Sequence, residues 1–372
     1  MKKIKVMHFV SGLVSGGVEQ MLYNYCKFLN HDKYEFVIVY QHEPVKSCID
    51  KIESIGCKTI RITARNENFL KNIEDSFRVI KNENPDIVHT HMNLMNFCAL
   101  YAAKKCGIDV RISHSHIAEK NKGIAFKAMA TVCKKLCVYY ATNLFACGQE
   151  AGEYLYGINR MKSGKVTIVE NAIDLKYFEK NDGLNETFRK KYNLEGKFIV
   201  GHIGRFSAQK NHERLIDIFT CILKKQSNAF LLLLGTGELE ERIKRKVNDL
   251  GISDKVLFYG TTDNMQEIYS AMDTFVLPSL YEGLPVVSIE IQAANIPAVF
   301  SSTIAKTCQI TSAIDFVELS ETDDYWADRV LEHYQTFHKC DLKNLYEKYN
   351  INCKAQQLDW YYVDCLRQKE TR

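Results

Sequence analysis

Two turns in the second half of the chain carry charged side chains at a spacing that suits phosphate binding. The first, residues 201–211, holds Arg205 and Lys210 after an apolar run and before a helix that the pattern predicts to begin near Asn211. Two cations beside the free N–H groups of a helix N-terminus would stabilise a diphosphate. Because Lys and Arg in a turn are more often simply solvated, a functional interpretation needs support from a neighbouring motif.

The second turn, residues 277–290, supplies that support with Glu282 and Glu290 around another predicted strand-to-helix corner. Gly283 would let a ligand approach the backbone closely, and Pro285 suits the first turn of a helix. Glu282 could accept hydrogen bonds from sugar hydroxyls, and Glu290 could accept those of a ribose. The same two carboxylates also fit the acid and nucleophile of a glycoside hydrolase, or the ordinary preference for acidic residues at helix starts.

A glycine-rich loop in the first half of the chain is a third candidate site. Gly16 and Gly17 follow the first predicted strand and lead into a helix predicted to begin near Val18. The N-terminus of that helix could receive a phosphate or an acceptor hydroxyl. The loop matches neither the Walker A motif nor the dinucleotide-binding spacing, so a tight turn that needs glycine is the alternative.

Two His-x-His patterns, His89–His91 and His114–His116, end two further predicted strands. Alternation along a strand would bring both histidines of a pair to one side, which makes a metal site one interpretation. No matching set of acidic residues follows, and the chain contains no Asp-x-Asp. We therefore expect no metal ion and a single histidine that hydrogen-bonds substrate, with packing alone open for His89 and His114.

The elements that must position these residues alternate between apolar runs of strand length and segments of helical periodicity. This alternation predicts an α/β protein with two doubly wound parallel sheets, divided near residues 175–196 at a polar turn cluster. We expect domains over 1–178 and 179–340, and a helical tail over 341–372 that packs back on the first domain through Trp360, Tyr361, Tyr362 and Leu366. The predicted strands are 4–10, 35–40, 58–62, 86–89, 110–113, 144–146, 166–169, 198–203, 230–234, 256–259, 274–277, 298–301 and 316–319.

Composition excludes several classes of protein. The 372 residues are 46% hydrophobic and 25% charged, with a formal net charge of +4, which argues against extensive disorder and against a surface built for nucleic acid. The 13 cysteines include no Cys-x-x-Cys pair, which argues against zinc ribbons and favours reduced thiols in the cytoplasm. No apolar run approaches the roughly 20 residues that a membrane span needs.

In combination, these motifs resemble the retaining GT-B glycosyltransferases of family 4. The similarity runs from residue 4 to about residue 300 and includes the Gly16 loop, the Arg205/Lys210 loop, the Glu282/Glu290 corner and two shorter motifs, residues 169–174 and 235–239. It implies two facing Rossmann-like domains with a cleft between them. Residues 110–116 and 148–152 are most similar to enzymes that build bacterial exopolysaccharide, capsule or O-antigen.

The resemblance also implies roles for individual residues. Arg205 and Lys210 would bind the diphosphate of the donor, and Glu282 would bind its sugar. His116, Gly16 and Gly17 would lie on the acceptor side. The remaining donor-binding residues would be Glu290, Gly283, Leu284, Asn171, Gly235, Gly237 and Glu238. One departure from the family is Ala172, where a glycine usually follows the asparagine.

The implied activity is transfer of a sugar, with retained stereochemistry and without a metal or cofactor, from a nucleoside diphosphate sugar that we expect to be UDP-linked. The acceptor would be a growing glycan, expected to be a lipid-linked polysaccharide intermediate. A GT-B-fold nucleotide-sugar epimerase is the alternative within the fold. A metal-dependent hydrolase that uses the His-x-His pairs is the alternative from another class.

A basic segment at 120–140 bears on where the protein works. No Asp or Glu occurs between Lys120 and Gln149, while lysines alternate with apolar residues. Such a helix suits the anionic inner face of the cell membrane, and a core helix with a solvated lysine face is the alternative. We expect a cytoplasmic protein with peripheral membrane contact through this segment and no nucleic-acid partner.

Overall fold

The computed structural model describes residues 2–14, 16–116, 123–282 and 285–370. The chain divides into two units, each with its own parallel sheet. Unit 1 comprises residues 1–173 and 350–372, and unit 2 comprises residues 174–349. The unit boundary therefore falls just before the division at 178/179 that the sequence predicts.

The described residues form thirteen strands, one for each predicted apolar run. Their ends agree with the predicted runs to within a few residues, and the largest shift is in the last strand. The strands are β1 Ile4–Phe9, β2 Tyr34–Tyr40, β3 Lys58–Arg61, β4 Ile87–Thr90, β5 Val110–Ser115, β6 Asn143–Ala146, β7 Val166–Ile168, β8 Phe198–Ile203, β9 Ala229–Leu234, β10 Val256–Gly260, β11 Thr274–Leu277, β12 Ala298–Ser301 and β13 Ile314–Val317.

Fifteen α-helices connect and cover these strands in the described residues. They are α1 Gly17–Phe28, α2 Lys46–Ser54, α3 Phe69–Glu83, α4 Asn96–Lys105, α5 Ile124–Tyr140, α6 Gln149–Tyr156, α7 Ile158–Lys162, α8 Asp182–Tyr192, α9 His212–Lys225, α10 Glu240–Asp249, α11 Met265–Ala271, α12 Val286–Ala293, α13 Asp323–Thr336, α14 Lys343–Tyr349 and α15 Ile351–Glu370.

Both sheets follow the same winding rule. The order is β3-β2-β1-β4-β5-β6-β7 in unit 1 and β10-β9-β8-β11-β12-β13 in unit 2. Every strand pair is parallel. The order reverses between β1 and β4 in the first sheet and between β8 and β11 in the second. In such sheets ligands bind beyond the carboxyl ends of the strands at the point of reversal.

The sheets are buried on both faces, as parallel sheets require. In unit 1, alternate residues of β1 point to opposite cores: Val6 packs with α1 and α15, whereas Met7 packs with α3 and α4. In unit 2 the core beneath α9 and α13 contains Trp326, which is fully buried. Its indole nitrogen donates to the carbonyl oxygen of Glu318 at 3.0 Å, so the buried polar atom is satisfied.

The predicted tail consists of two helices that lie in different units. α14 belongs to unit 2, whereas α15 packs on unit 1, where Tyr362 is fully buried in the core. The Ile351 N–H donates to the carbonyl oxygen of Ile173 at 3.0 Å, which ties the start of α15 to the end of the first segment. Trp360 remains 59% exposed, so its predicted docking role is wrong; Tyr361 and Leu366 pack at the edge of the core.

Much of the polar stretch that was predicted to contain the domain boundary forms a helix of unit 2, α8. The Asn181 side chain accepts a hydrogen bond from the Leu184 N–H at 3.0 Å and thereby caps α8. Phe188, the buried residue of this helix, is 0% exposed. A helix that buries one apolar residue among polar ones gives a weak periodic signal, which explains why the pattern predicted only a turn cluster here.

We expect Asn181→Ala to destabilise unit 2 by about 1 kcal/mol, because an N–H at the start of α8 loses its side-chain acceptor. Thermal unfolding should therefore begin at a lower temperature. Glu186→Ala, at an exposed position of the same helix, is the matched control and should change the unfolding temperature little. Equal effects of the two substitutions would show that the cap adds nothing to stability.

In the described residues, no helix combines the length and the apolar character needed to cross a lipid bilayer.

Candidate active site

The loops after β8 and β9 pack backbone against backbone. The Phe206 N–H donates to the Thr236 carbonyl oxygen at 3.0 Å. A Cβ on Gly235 would lie 2.1 Å from the Gly204 carbonyl oxygen, and one on Gly237 would lie 2.5 Å from that of Phe206. Gly235 also has φ of +140°, which disfavours other residues. These glycines thus bring the two loops close together and set the position of Arg205; their direct contact with a donor stays a prediction.

Lys210 and Glu282 form an ion pair across the point of reversal of the second sheet. The Lys210 Nζ lies 2.6 Å from Glu282 Oε1, and the two side chains are only 17% and 10% exposed. Ser279 Oγ donates to the same oxygen at 3.0 Å, and Gln209 Nε2 donates to Oε2 at 3.2 Å. Four groups are therefore held together at the carboxyl ends of β8 and β11.

The backbone also joins these two loops. The Leu280 N–H donates to the Gln209 carbonyl oxygen at 2.8 Å, and Asn211 Nδ2 donates to the Pro278 carbonyl oxygen at 3.1 Å. Asn211 has φ of 55°, a left-handed conformation that asparagine tolerates, and it immediately precedes α9. The predicted helix start near Asn211 is thereby confirmed.

Arg205 is placed differently from Lys210. Its guanidinium lies 3.2 Å from Glu238 Oε2, and the two side chains are 74% and 55% exposed. An exposed ion pair of this kind contributes little to stability, so the Arg205 side chain can exchange its partner for a bound anion at small cost. The predicted donor-binding residues Arg205 and Glu238 therefore contact each other.

Glu290 lies on α12, the helix that follows the corner with Glu282. The Tyr269 hydroxyl donates to Glu290 Oε2 at 2.5 Å, and Tyr269 is itself fully buried. Burial raises the pKa of that phenol well above its usual value, so it stays protonated as the donor. Glu290 is thus held at one oxygen by a rigid buried partner. Pro285 immediately precedes α12 and does not lie in its first turn. Gly283 and Leu284 lie outside the described residues.

In unit 1, Gly16 caps α1 and Gly17 is its first residue, which places the helix start close to the predicted position. The Glu19 carboxylate folds back onto this turn, with Oε2 2.5 Å from where a Cβ on Gly16 would stand. Burial raises the pKa of Glu19, while backbone N–H groups of Glu19 and Val14 oppose that shift. A carboxylate at this helix N-terminus favours an acceptor hydroxyl over a phosphate as the ligand of the loop.

Asn171 lies in unit 1 on the loop after β7. Its Oδ1 atom is buried and has no hydrogen-bond partner among the described residues. Asn24 Nδ2 donates to the Ala172 carbonyl oxygen at 2.8 Å, and the Tyr25 hydroxyl donates to that of Glu170 at 2.7 Å, so α1 fixes this loop. Ala172 has no positive φ, which explains why the turn does not require the glycine usual in the family.

His116 belongs to a cluster of five histidines on the α1/α15 face of the first sheet. Its members come from the carboxyl-terminal parts of three adjacent strands and the residues that follow them: His8, His89, His91, His114 and His116. Three of them form a hydrogen-bonded row, in which His8 Nδ1 lies 3.0 Å from His91 Nε2 and His91 Nδ1 lies 2.8 Å from His116 Nε2. We call this row the histidine chain.

The other two histidines form a second row with a tyrosine. His89 Nε2 lies 3.2 Å from His114 Nδ1, and His89 Nδ1 lies 2.9 Å from the Tyr362 hydroxyl. Burial is the main cause that lowers the pKa values throughout the cluster, to about 3 for His8 and His116 and well below the usual value for the other three. The five imidazoles are therefore neutral at physiological pH.

Two groups of three histidines bring ligand atoms within 4.8 Å of one another, as a metal site would need: His8 with His89 and His91, and His91 with His114 and His116. Nitrogens that share a tetrahedral zinc ion at 2.0–2.1 Å lie about 3.3 Å apart. The contacts of 2.8 and 3.0 Å in the histidine chain are shorter than this. At these distances each contact accommodates a hydrogen bond between two rings, and the absence of a metal ion stays a prediction.

Several residues of these sites are not evident from sequence motifs. Gln209 and Ser279 hold Glu282, Tyr269 holds Glu290, and Glu19 occupies the glycine turn. His8 was hidden because its partner His91 is 83 residues away and the two strands become neighbours only through the sheet order. A signal was present for Glu19, since this acidic residue lies two positions after the Gly-Gly pair, in the first turn of α1.

Two family models match the chain, one in each half. Residues 15–177 match the model described as Glycosyltransferase Family 4, and residues 185–315 match the one described as Glycosyl transferases group 1. The putative glycosyltransferase EpsF of Bacillus subtilis (strain 168) is 30% identical over 336 residues, which cover 88% of this chain and 86% of EpsF.

A second relative carries a more specific name. The UDP-Gal:alpha-D-GlcNAc-diphosphoundecaprenol alpha-1,3-galactosyltransferase of Escherichia coli is 24% identical over 338 residues, covering 87% of this chain and 86% of that enzyme. Among solved structures, Anabaena HepE in complex with UDP superposes with a TM-score of 0.79 at 14% identity, covering 97% and 100% of the two chains. That likeness establishes the fold, and the sequence matches establish the family. The chain is therefore a family 4 glycosyltransferase with two Rossmann-like units of the GT-B type.

Proposed function

We propose that the protein is a retaining, metal-independent glycosyltransferase that moves a sugar from UDP to a lipid-linked polysaccharide intermediate. The observation that carries this proposal is the Lys210–Glu282 pair, a cation and a carboxylate 2.6 Å apart at the carboxyl ends of two adjacent strands. The names of the Escherichia coli relative and of the HepE complex support UDP and a diphosphoundecaprenol acceptor.

The chemistry follows from the charge that develops on the donor. As the bond between the anomeric carbon and the diphosphate oxygen breaks, negative charge grows on the phosphate and positive character on the sugar. Lys210 and Arg205 would stabilise the phosphate, and the Glu282 carboxylate would hold the sugar hydroxyls. Because these are fixed protein charges, the leaving group needs no divalent ion for its stabilisation.

We assign the acceptor to unit 1. A hydroxyl of the acceptor other than the reacting one would donate a hydrogen bond to the Glu19 carboxylate beside Gly16, and His116 would bind a further sugar oxygen. In the retaining step the acceptor oxygen forms its new bond on the face from which the diphosphate departs. The hydroxyl proton then passes to an oxygen of that diphosphate. One bond forms, one bond breaks and one proton moves to the leaving diphosphate, so no further reactant is needed.

A panel of nucleotide sugars, assayed for binding and slow hydrolysis with and without EDTA, tests this proposal without a known acceptor. We expect a UDP-sugar to bind tightest, and hydrolysis to be unchanged by EDTA and to give the sugar with its original anomeric configuration. Loss of turnover in EDTA that manganese restores would contradict metal independence. Conversion of the free nucleotide sugar to an epimer would favour an epimerase.

We also propose that α5 contacts an anionic membrane surface. Its exposed side chains include the apolar Met129, Val132 and Tyr139, which are 43%, 57% and 66% exposed, together with Lys127 and Lys135. Exposed apolar groups flanked by lysines are the composition of a helix that lies in a lipid interface.

Two other lysines of this segment, Lys120 and Lys122, lie outside the described residues. The predicted basic face is also smaller than its lysine count suggests, since Lys134 lies over the Tyr154 ring at 3.8 Å from its centroid. Tyr154 belongs to α6, so Lys134 serves the packing of two helices.

We expect Lys127→Glu/Lys135→Glu to weaken binding to phosphatidylglycerol vesicles, because each lysine near such a surface contributes about 1 kcal/mol. Co-sedimentation at two salt concentrations measures the effect. The matched control is Lys2→Glu/Lys3→Glu, which makes the same charge change at exposed residues before β1 and should bind like the parent. If the parent does not bind these vesicles, α5 has only a solvated face.

A further inference from the structure

We propose that His8 and His91 are positioning residues that place the proton of His116 on Nδ1, so that this nitrogen offers an N–H donor to an oxygen of the bound sugar. The identity of this ligand rests on the proposed function. The arrangement of protons depends on the described residues of unit 1 alone.

The geometry of the histidine chain limits where its protons can lie. Three neutral imidazoles share three protons among six ring nitrogens. Four of those nitrogens face each other in the two contacts, His8–His91 at 3.0 Å and His91–His116 at 2.8 Å. The other two are the chain ends, His8 Nε2 and His116 Nδ1, which are buried and have no hydrogen-bond partner among the described residues.

The histidine chain has one more proton than it has contacts between rings. A contact between two ring nitrogens at such a distance must hold one proton, because none would oppose two lone pairs and two would oppose two N–H groups. Two of the three protons therefore lie in the contacts, and the third lies at one chain end. The proton at either end thus dictates the tautomer of all three rings.

The two ends of the histidine chain differ in their surroundings. His8 is 3% exposed and its ring lies 6.1 Å from that of Phe36, inside the core. A buried N–H without an acceptor is rarer in proteins than a buried acceptor without a donor. His116 Nδ1 is also buried and unpartnered among the described residues, but the residue as a whole keeps partial exposure. Because His116 follows β5 at the end of the sheet where ligands bind, a bound sugar oxygen could supply the acceptor for its N–H. The proton therefore belongs on His116 Nδ1, with Nδ1 also protonated in His91 and His8.

Long-range ¹H–¹⁵N spectra of the full-length protein labelled with ¹⁵N-histidine, without substrate, test this assignment. We expect His116 as one neutral tautomer protonated at Nδ1. His91→Phe removes the donor to His116 Nε2 and should populate both tautomers. His8→Met replaces the donor to His91 by a weak acceptor and should shift the His116 proton toward Nε2.

Tyr362→Phe is the matched control, because it removes one hydroxyl from the second row and leaves the histidine chain intact. We expect the His116 spectrum of this variant to equal that of the parent. A parent protein with His116 protonated at Nε2 would overturn the proposal. The proposal would also be overturned if the His116 tautomer were unchanged in both His91→Phe and His8→Met. A stoichiometric transition metal in the purified protein would overturn it as well. These spectra are recorded without a nucleotide sugar. A wrong assignment of the His116 proton can therefore be told apart from a wrong proposed function, which the panel of nucleotide sugars tests.

Discussion

Replacing Lys210 by methionine is expected to lower turnover by about 10²-fold or more while the protein remains folded. This magnitude matches the loss of one preorganised group that stabilises charge in a transition state. Methionine keeps the aliphatic packing of Lys210 against Gly204, where a Cβ would lie 3.0 Å from the lysine Cδ. The rate of nucleotide-sugar hydrolysis measures the effect, and Arg205→Ala should show a loss of similar size.

The matched control is Lys246→Met. Lys246 lies 2.6 Å from Asp217 in the same unit, so this variant also breaks a short lysine–carboxylate pair, but on the α9/α10 side of the sheet. We expect its turnover to remain within about twofold of the parent because exposed ion pairs contribute little to the fold. Normal turnover in both Lys210→Met and Arg205→Ala would refute the diphosphate assignment.

Lys210 could act in two ways, as a ligand of the diphosphate or as a support for Glu282, and a binding measurement separates the two roles. Its ammonium group neutralises the largely buried Glu282. If Lys210 acted only by holding Glu282, its loss would impair transfer without changing the affinity for free UDP. If it binds phosphate, the affinity for UDP must fall as well. Calorimetric titration of Lys210→Met with UDP therefore distinguishes a phosphate ligand from a support for the carboxylate.

Sequence patterns predicted the two sheets well because most strands are short, largely apolar runs; β3, Lys58–Arg61, is the most polar of them. β9, for example, is Ala229–Leu234, whose residues are almost all buried, and the glycine of the following loop ends it. A parallel strand that is covered on both faces must have this composition. α8 was missed for the opposite reason, since it buries one side chain, Phe188, among polar residues.

The sequence predicted which residues belong to the candidate site, but it did not predict which of them contact each other. Residues after strands of a doubly wound sheet gather at one edge, so Arg205, Lys210 and Glu282 could be assigned to one region from their spacing alone. The sequence did not reveal that Lys210 pairs with Glu282 whereas Arg205 pairs with Glu238. The Arg205–Glu238 pair depends on the close approach of the loops after β8 and β9, which the glycines at 235 and 237 allow through contacts with the backbone. The Lys210–Glu282 pair depends instead on the hydrogen bonds that join the loops after β8 and β11.

The contacts among the histidines were also only partly predictable from the sequence. The pattern predicted that His89 and His91 share one side of their strand, which is confirmed by ring centroids 4.2 Å apart. The inclusion of His8 and Tyr362 depends on β1 lying beside β4 and on α15 covering that face. Tyr362 is 273 residues from His89, and local periodicity carries no information over such a separation.

Glu282→Gln is expected to reduce sugar transfer strongly while the affinity for free UDP is retained or rises. The substitution keeps the shape of the side chain but removes the charge that strengthens hydrogen bonds to sugar hydroxyls and steadies a cationic anomeric centre. It also releases Lys210 from a full ion pair, which leaves the ammonium available to the diphosphate. Turnover, UDP affinity and thermal unfolding should be measured together.

Glu290→Gln, unlike Glu282→Gln, is expected to weaken the binding of free UDP, because Glu290 is assigned to the ribose. The glutamine oxygen can still accept the hydrogen bond from Tyr269, so the local fold should persist. Tyr269→Phe completes the comparison: it leaves the carboxylate charged but removes the contact that orients it, and should weaken UDP binding by less than Glu290→Gln. If Glu282→Gln loses UDP affinity as severely as Glu290→Gln at unchanged stability, the two carboxylates do not divide sugar from nucleotide.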